Sequence, residues 1–236
     1  MIMEKIQLER LKKIVAWAYE KSAFYYRSFQ SHGVTPDDIK QLSDISKLPI
    51  LTRADLESVD AFEFLTLPLS SIVRINDFGR ITKFYTVGDI RNNVEMLART
   101  FIAANVLRGS IVGIAGDLSD SRLLDALYAL ESIGATVIPL KTFPEKFGVE
   151  TLVTTSPNFL QTPVAKIFYL NEKEMRPLKI STSAKIFNLY APPEIGHAGL
   201  LDASGQFRTE HFLVEDRLII TTLTAQAMPL IRFKLQ

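Results

Sequence analysis

Between residues 111 and 156 three short apolar runs, IVGIAG (111–116), ATVIPL (135–140) and TLVTTS (151–156), are spaced by helical and turn signals. This alternation constrains the fold more than any other feature. IVGIAG reads as a buried strand, as expected of one covered on both sides, and ATVIPL and TLVTTS read as further strands. SRLLDALYALESI, after the first run, reads as a helix closed by Gly134. Upstream, residues 72–76 read as a further strand. Thr86 and Asp89 cap a helix whose stripe is Ile90, Val94, Leu97, Phe101 and Ile102. Strands alternating with amphipathic helices predict an α/β fold, a parallel or mixed sheet with helices near 87–106 and 120–133.

The flanking thirds read differently. Leu8, Leu11, Val15, Ala18 and Tyr19 recur at helical spacing, and Gly33 is placed to end that helical region. The aromatic group Phe24, Tyr25, Tyr26 and Phe29 near its end is expected in the core. Thr35-Pro36-Asp37-Asp38 and Thr52-Arg53-Ala54-Asp55 each start a short helix. After residue 166 helical periodicity fades. AKIFYL, AKIFNLYA, HFLVE, RLIITTL and PLIRFKL read as short strands split by turns. The expected division is a helical N-terminus with an α/β lobe over 1–165 and a β-rich lobe over 166–236.

Composition excludes several classes of function. Lys and Arg total 27 against 26 Asp and Glu, a net charge of +1, which argues against a nucleic-acid binder. The absence of cysteine removes disulfides, thiolate catalysis and thiolate metal sites. The charged start MIMEKIQLERLKK is not a signal peptide, and no stretch has the length to span a bilayer, so no membrane partner and a cytoplasmic location are expected.

Several segments carry a resemblance. These are LERLKKIVAWAYEKSAFYYRSF, GVTPDDIKQLSDISKLPILTRADL, VRI (73–75), FYTVGDI, GATVIPL, EHFLVE and TTLTAQAMPLIR (221–232). In this order they resemble the phenylacetate–coenzyme A ligase family of the adenylate-forming superfamily, across nearly the whole chain. The resemblance implies a shortened N-terminal domain of that fold, with the family's C-terminal catalytic module absent. It also implies a reaction in which ATP and a carboxylic acid give an acyl-adenylate that coenzyme A captures. ATP or AMP, Mg²⁺ and coenzyme A are thus the cofactors it suggests, with a small carboxylic acid or nucleotide as ligand; the residues alone make none of these certain.

The departures from the family pattern matter as much. Where the family has a Gly/Ser/Thr-rich phosphate loop, this chain has NDFGRITK (76–83), with Gly79, Thr82 and Lys83 as remnants. One glycine cannot supply the backbone angles of a phosphate cradle, and the segment reads as an ordinary loop between strand and helix. NLYAPPEIGHAG (188–199) aligns Tyr190 and Glu194 with the family's adenine-stacking ring and Mg²⁺-ligand carboxylate. The family glycine after the tyrosine is Ala191, however, and a loop glutamate is otherwise simply solvated. Asp117, Asp120 and Asp125 read as a solvated helix N-terminus. His197 and His211 read as hydrogen-bonded structural residues; no metal site is expected. Set against the family, these residues are also expected to lack its ribose-binding acid and catalytic lysine.

Two functions follow. The first is a non-catalytic relative, a pseudoenzyme acting as a binding, regulatory or scaffold protein without catalytic residues. The alternative is a minimal ligase-related enzyme that binds AMP, ATP or acyl-CoA, with the missing module supplied in trans. The terminal strand, with Ile231, Phe233 and Leu235 alternating with polar residues, lacks its usual cover; a homodimer or a protein partner is expected to bury it.

Overall fold

A computed structural model describes residues 2–142, 147–172, 182–195, 210–216 and 219–235. Two compact units result: Met1–Ile90 with Arg208–Gln236, and Arg91–Phe207. Among the described residues no helix is long and apolar enough to cross a membrane.

The second unit is the α/β body. Its strands are β3 (Ile111–Ala115), β4 (Thr136–Leu140), β5 (Thr151–Thr154), β6 (Lys166–Asn171) and β7 (Lys185–Tyr190). All neighbours are parallel, in the order β4-β3-β5-β6-β7. Successive side chains of a strand point to opposite faces, and both faces are apolar. On one face Val112, Ile114, Val153, Phe168, Leu170 and Leu189 pack against two helices. These are α4 (Val87–Ala103), through Leu97 and Phe101, and α5 (Ser121–Ser132), through Leu123, Ala126 and Leu130. Phe168 sits at the centre, edge-on to Phe101 at 4.9 Å and stacked on Phe187 at 4.7 Å. On the other face Ala115, Leu140, Leu152 and Ile167 cluster with Leu160 and Val164.

The first unit is built from short elements. Helices α1 (Ile2–Lys21), α2 (Ala23–Ser31) and α3 (Arg53–Ser58) precede a hairpin of β1 (Arg74–Asp77) and β2 (Thr82–Tyr85). A three-stranded antiparallel sheet joins β8 (Phe212–Glu215), β9 (Ile219–Thr222) and β10 (Phe233–Lys234) in the order β10-β9-β8. The expected capping sites are real. Thr52 accepts from Asp55 N–H while Asp55 accepts from Thr52 N–H, and the Thr86/Asp89 pair repeats this at the start of α4. In the aromatic group Tyr25 and Phe29 are buried, whereas Tyr26 is half exposed.

Three expectations need correction. The strand at 72–76 does not join the parallel sheet; β1 alternates an exposed Ile75 with a buried Asn76 and closes an antiparallel hairpin. A four-residue strand with one wet face suits a hairpin better than the interior of a two-sided sheet. AKIFYL and AKIFNLYA supply β6 and β7 of the parallel sheet and lie outside the β-rich lobe expected over 166–236. Their near-continuous apolar runs are the two-sided signature already seen at 111–116. The two units accordingly divide at 90/91 and 207/208, where 165/166 was expected.

The third correction concerns the terminal strand. Ile231, Phe233 and Leu235 are buried by the chain itself. Phe233 pairs with Ile220 of β9, and on its other side Leu51 N–H donates to Arg232 O while Lys234 N–H donates to Leu51 O. Arg232 holds φ at +52° and forks onto both carboxylate oxygens of Glu215 at 3.1 and 3.0 Å, and so is not left in water. The uncovered face that motivated a dimer is absent.

Candidate functional site

In an open parallel sheet, ligands bind outside the carboxyl ends of the strands, where the strand order reverses. Here that point lies between β3 and β5, since β4 flanks one side of β3 and β5 the other. Around it the second unit gathers the ends of β3, β5, β6 and β7 with the start of α5. Gly116, which follows β3, has φ +143°, and a Cβ there would meet Leu123 Cδ1 at 2.6 Å, so the turn requires glycine. Thr154 at the end of β5 is fully buried, its hydroxyl accepting from Ser156 N–H at 3.0 Å.

The Tyr190–Glu194 segment leaves the end of β7 and turns at once. Ala191 N–H donates to Asn171 O at 2.7 Å, and Ile195 N–H donates to Pro192 O at 3.0 Å. Tyr190 and Glu194 are both buried, at 3% and 5% exposure. The glutamate is therefore not the solvated loop residue its sequence context suggests. Burial, and secondarily the Glu194 charge, push the Tyr190 phenol up to about 12. A neutral phenol is thus favoured in the folded state between pH 10, its ordinary value, and about 12. The unfolded chain loses that proton first, so the stability Tyr190 contributes is full below pH 10 and is lost as pH rises through 12. Tyr190→Phe is expected to flatten the alkaline limb of the stability curve by about 1–2 kcal/mol, read by urea unfolding between pH 9 and 11.5. An unchanged limb would remove Glu194 and burial as the local environment of this ring.

Arg122 is the residue that sequence reasoning missed. It lies in the first turn of α5 with a side chain only 8% exposed. Its Nε meets both oxygens of Asp120 at 2.9 and 3.0 Å, and Nη1 donates to Ala191 O at 2.7 Å and lies 3.5 Å from Glu172. Burial alone would lower its pKa, but the Asp120 and Glu172 carboxylates prevail and hold it above the ordinary value. Asp120 also caps α5 by accepting from Arg122 N–H. Only Asp117 of the three aspartates behaves as a plain turn residue, its carboxylate held below the usual range by Ser119 N–H. Asp125 departs from the solvated expectation: it is 3% exposed and accepts from Asn93 Nδ2 at 2.8 Å.

The remaining site residues, Gly79, Thr82 and Lys83, belong to the first unit. NDFGRITK runs from the end of β1 through the hairpin turn into β2, where Thr82 pairs with Asp77 and Lys83 with Asn76. Gly79, at φ +84°, donates its N–H to Asp77 Oδ1 at 2.8 Å, and Phe78 N–H donates to Ile81 O at 2.9 Å. Lys83 is buried, its Nζ 5.5 Å from the centre of the Tyr85 ring. His211 Nδ1 lies 2.9 Å from Thr224 Oγ1; His197 lies outside the described residues. Among the described residues no group of three or more His, Asp or Glu side chains is placed to hold a metal ion.

No family model matches the sequence. It is 26% identical to the phenylacetate–coenzyme A ligase of Aromatoleum evansii over 285 aligned positions, covering 98% of this chain and 65% of that enzyme. It is 35% identical to that of Escherichia coli (strain K12) over 144 positions, 58% of this chain and 33% of the enzyme. The chain thus spans less than two thirds of the length of either relative. In fold it is similar to 2-hydroxyisobutyryl-CoA ligase, solved in an open conformation with 2-HIB-AMP and CoA, at TM-score 0.78 and 17% identity. That match covers 98% of this chain and 63% of the ligase. The resemblance read from the sequence segments therefore holds: the curated relatives are phenylacetate–coenzyme A ligases, and the fold is a shortened version of the adenylate-forming one.

Proposed function

We propose that this chain is a ligase relative that binds an adenylate or an acyl-CoA without forming the adenylate itself, and serves as a binding, regulatory or scaffold protein. The hairpin at NDFGRITK carries this reading. A triphosphate cradle needs several adjacent N–H groups aimed at one point. In the hairpin Gly79 N–H is committed to Asp77 and Phe78 N–H to Ile81 O. The Asp77 carboxylate would repel a phosphate, and Lys83 is buried beside Tyr85. These residues do not fit the polyphosphate of ATP.

The Tyr190–Glu194 turn argues for retained binding. Tyr190 and Glu194 are both buried and the backbone of the turn is tied to Asn171 O and Pro192 O, which suits an adenylate more than a solvated loop would. A small carboxylic acid or its coenzyme A thioester is the matching ligand class, and the cytoplasm is the compartment that supplies it. The scaffold role calls for a protein partner, of which a second copy of the chain is one candidate. The expected result is no ATP–pyrophosphate exchange above background with phenylacetate or related acids, together with measurable AMP binding by calorimetry. The second reading, a minimal enzyme completed in trans, is favoured by the same turn. Robust exchange by the purified chain, lost in both Lys83→Ala and Glu194→Ala, would overturn the first reading, and exchange that arises only on adding a lysine-bearing ligase module would establish the second.

A further inference from the structure

We infer that Arg122 is the positioning residue of the Tyr190–Glu194 turn, fixing through the Ala191 carbonyl the place where an adenylate binds. The inference rests on the reading of that turn as the adenylate site.

The peptide between Ala191 and Pro192 follows Tyr190 directly. Proline removes the N–H, so this peptide has one hydrogen-bonding handle, the Ala191 carbonyl. Arg122 Nη1 takes it at 2.7 Å. The preceding N–H of Ala191 is tied to Asn171 O, so both polar groups of Ala191 are committed to elements outside the turn. Tyr190 stands directly before this clamp and Glu194 three residues after it.

The guanidinium is itself fixed. Asp120 grips its Nε edge and Nη2, and Glu172, directly after β6, approaches Nη1. A planar fork held along one edge leaves the carbonyl-directed N–H in a single orientation. One side chain thus ties the start of α5, the end of β6 and the end of β7 together, across the carboxyl edge of the sheet. A buried ion pair is no more stabilising than a well-packed apolar substitute, so stability does not account for an arginine here. What an apolar side chain could not do is hold the Ala191 carbonyl.

The test compares wild type, Arg122→Met, Arg122→Lys and Asp120→Asn. AMP affinity is measured by calorimetry, and hydrogen exchange at the Ala191 and Ile195 amides is followed well below the melting temperature. In Arg122→Met these amides are expected to exchange at least about tenfold faster, and AMP affinity to fall at least about tenfold. Arg122→Lys should fall between, because a point charge cannot reproduce the fork. A purely structural role would lower the melting temperature without a localised change in exchange or affinity.

If wild type binds AMP and Arg122→Met binds it equally well, the inference is overturned while the proposed function stands. If wild type does not bind AMP, the proposed function fails, and exchange decides the positioning role alone: unchanged amides overturn it, faster amides sustain it. Should Arg122→Met fail to fold, Asp120→Asn decides. Asparagine caps a helix as well as aspartate, so the variant loosens the guanidinium while leaving α5 capped. Faster exchange confined to the turn supports the inference, and wild-type exchange overturns it.

Discussion

Asp89→Ala is expected to lower the stability of the first unit by about 3–5 kcal/mol. Asp89 is 7% exposed, and its carboxylate accepts from four donors: Thr86 N–H and Oγ1 at 2.9 Å each, Gln226 N–H at 2.6 Å and Ala227 N–H at 3.1 Å. Two of these cap the start of α4 and two hold the AQAM turn more than a hundred residues away. Alanine would strand two buried backbone N–H groups, those of Thr86 and Ala227, each costing about 1–3 kcal/mol without a partner, and would free the part-buried Gln226 N–H to water. The same turn is held from the other side by Thr66, whose N–H donates to Ala227 O and whose hydroxyl donates to Gln226 O. The single tryptophan, Trp17, lies in α1 and so reports on this unit. The Trp17-detected urea midpoint should fall by roughly 1–2 M, with Asp89→Asn showing about half that shift, since one acceptor oxygen remains. A shift below about 0.3 M would mean that water serves these donors and that the turn is held by packing.

Legibility in the sequence followed the range of the interaction. The capping pairs Thr52/Asp55 and Thr86/Asp89 were readable because both partners lie within one helical turn. The strands at 111 and 151 were readable because burial on both faces leaves no polar alternation to confuse with a helix, whereas the strand at 135, at the sheet edge, was readable from its short apolar run after Gly134. β6 and β7 carried the same signature, yet the intervening turn residues suggested a separate lobe. Nothing local distinguishes a parallel strand from an antiparallel one of equal length. The AQAM turn was readable as a turn, but its sequence was not explained until Asp89 and Thr66 were seen to bind it. Arg122 was the least legible site residue. Its partner Ala191 is 69 residues away, and the feature that recruits it, a proline without an N–H, becomes meaningful only when the two strand ends are neighbours. Lys83 misled in the other direction, because a residue at a familiar motif position proved to be buried beside Tyr85.

Phe233→Asp tests the terminal strand directly. Phe233 is 2% exposed and pairs with β9 on one side and with Leu51 on the other. Removing its ring should cost about 3–5 kcal/mol in lost contacts and cavity. The carboxylate adds a further penalty of a few kcal/mol, because a charge in this position must be desolvated, protonated or expelled. Neither cation beside it in the strand rescues it: Lys234 points to the opposite face, as successive strand residues do, and Arg232 is committed to Glu215. The variant should therefore lose most of the stability of the first unit, since whole domains are stable by only about 5–15 kcal/mol. Phe233→Leu, which keeps an apolar side chain, should cost less than about 2 kcal/mol. The measurement that separates burial within the chain from burial in a dimer is concentration dependence. If the chain covers its own strand, the wild-type midpoint monitored at Trp17 will not move between low and high micromolar protein. If a second copy covers it, the midpoint must rise with concentration by mass action. A soluble Phe233→Asp with an unchanged midpoint would contradict both arrangements and place this ring in water.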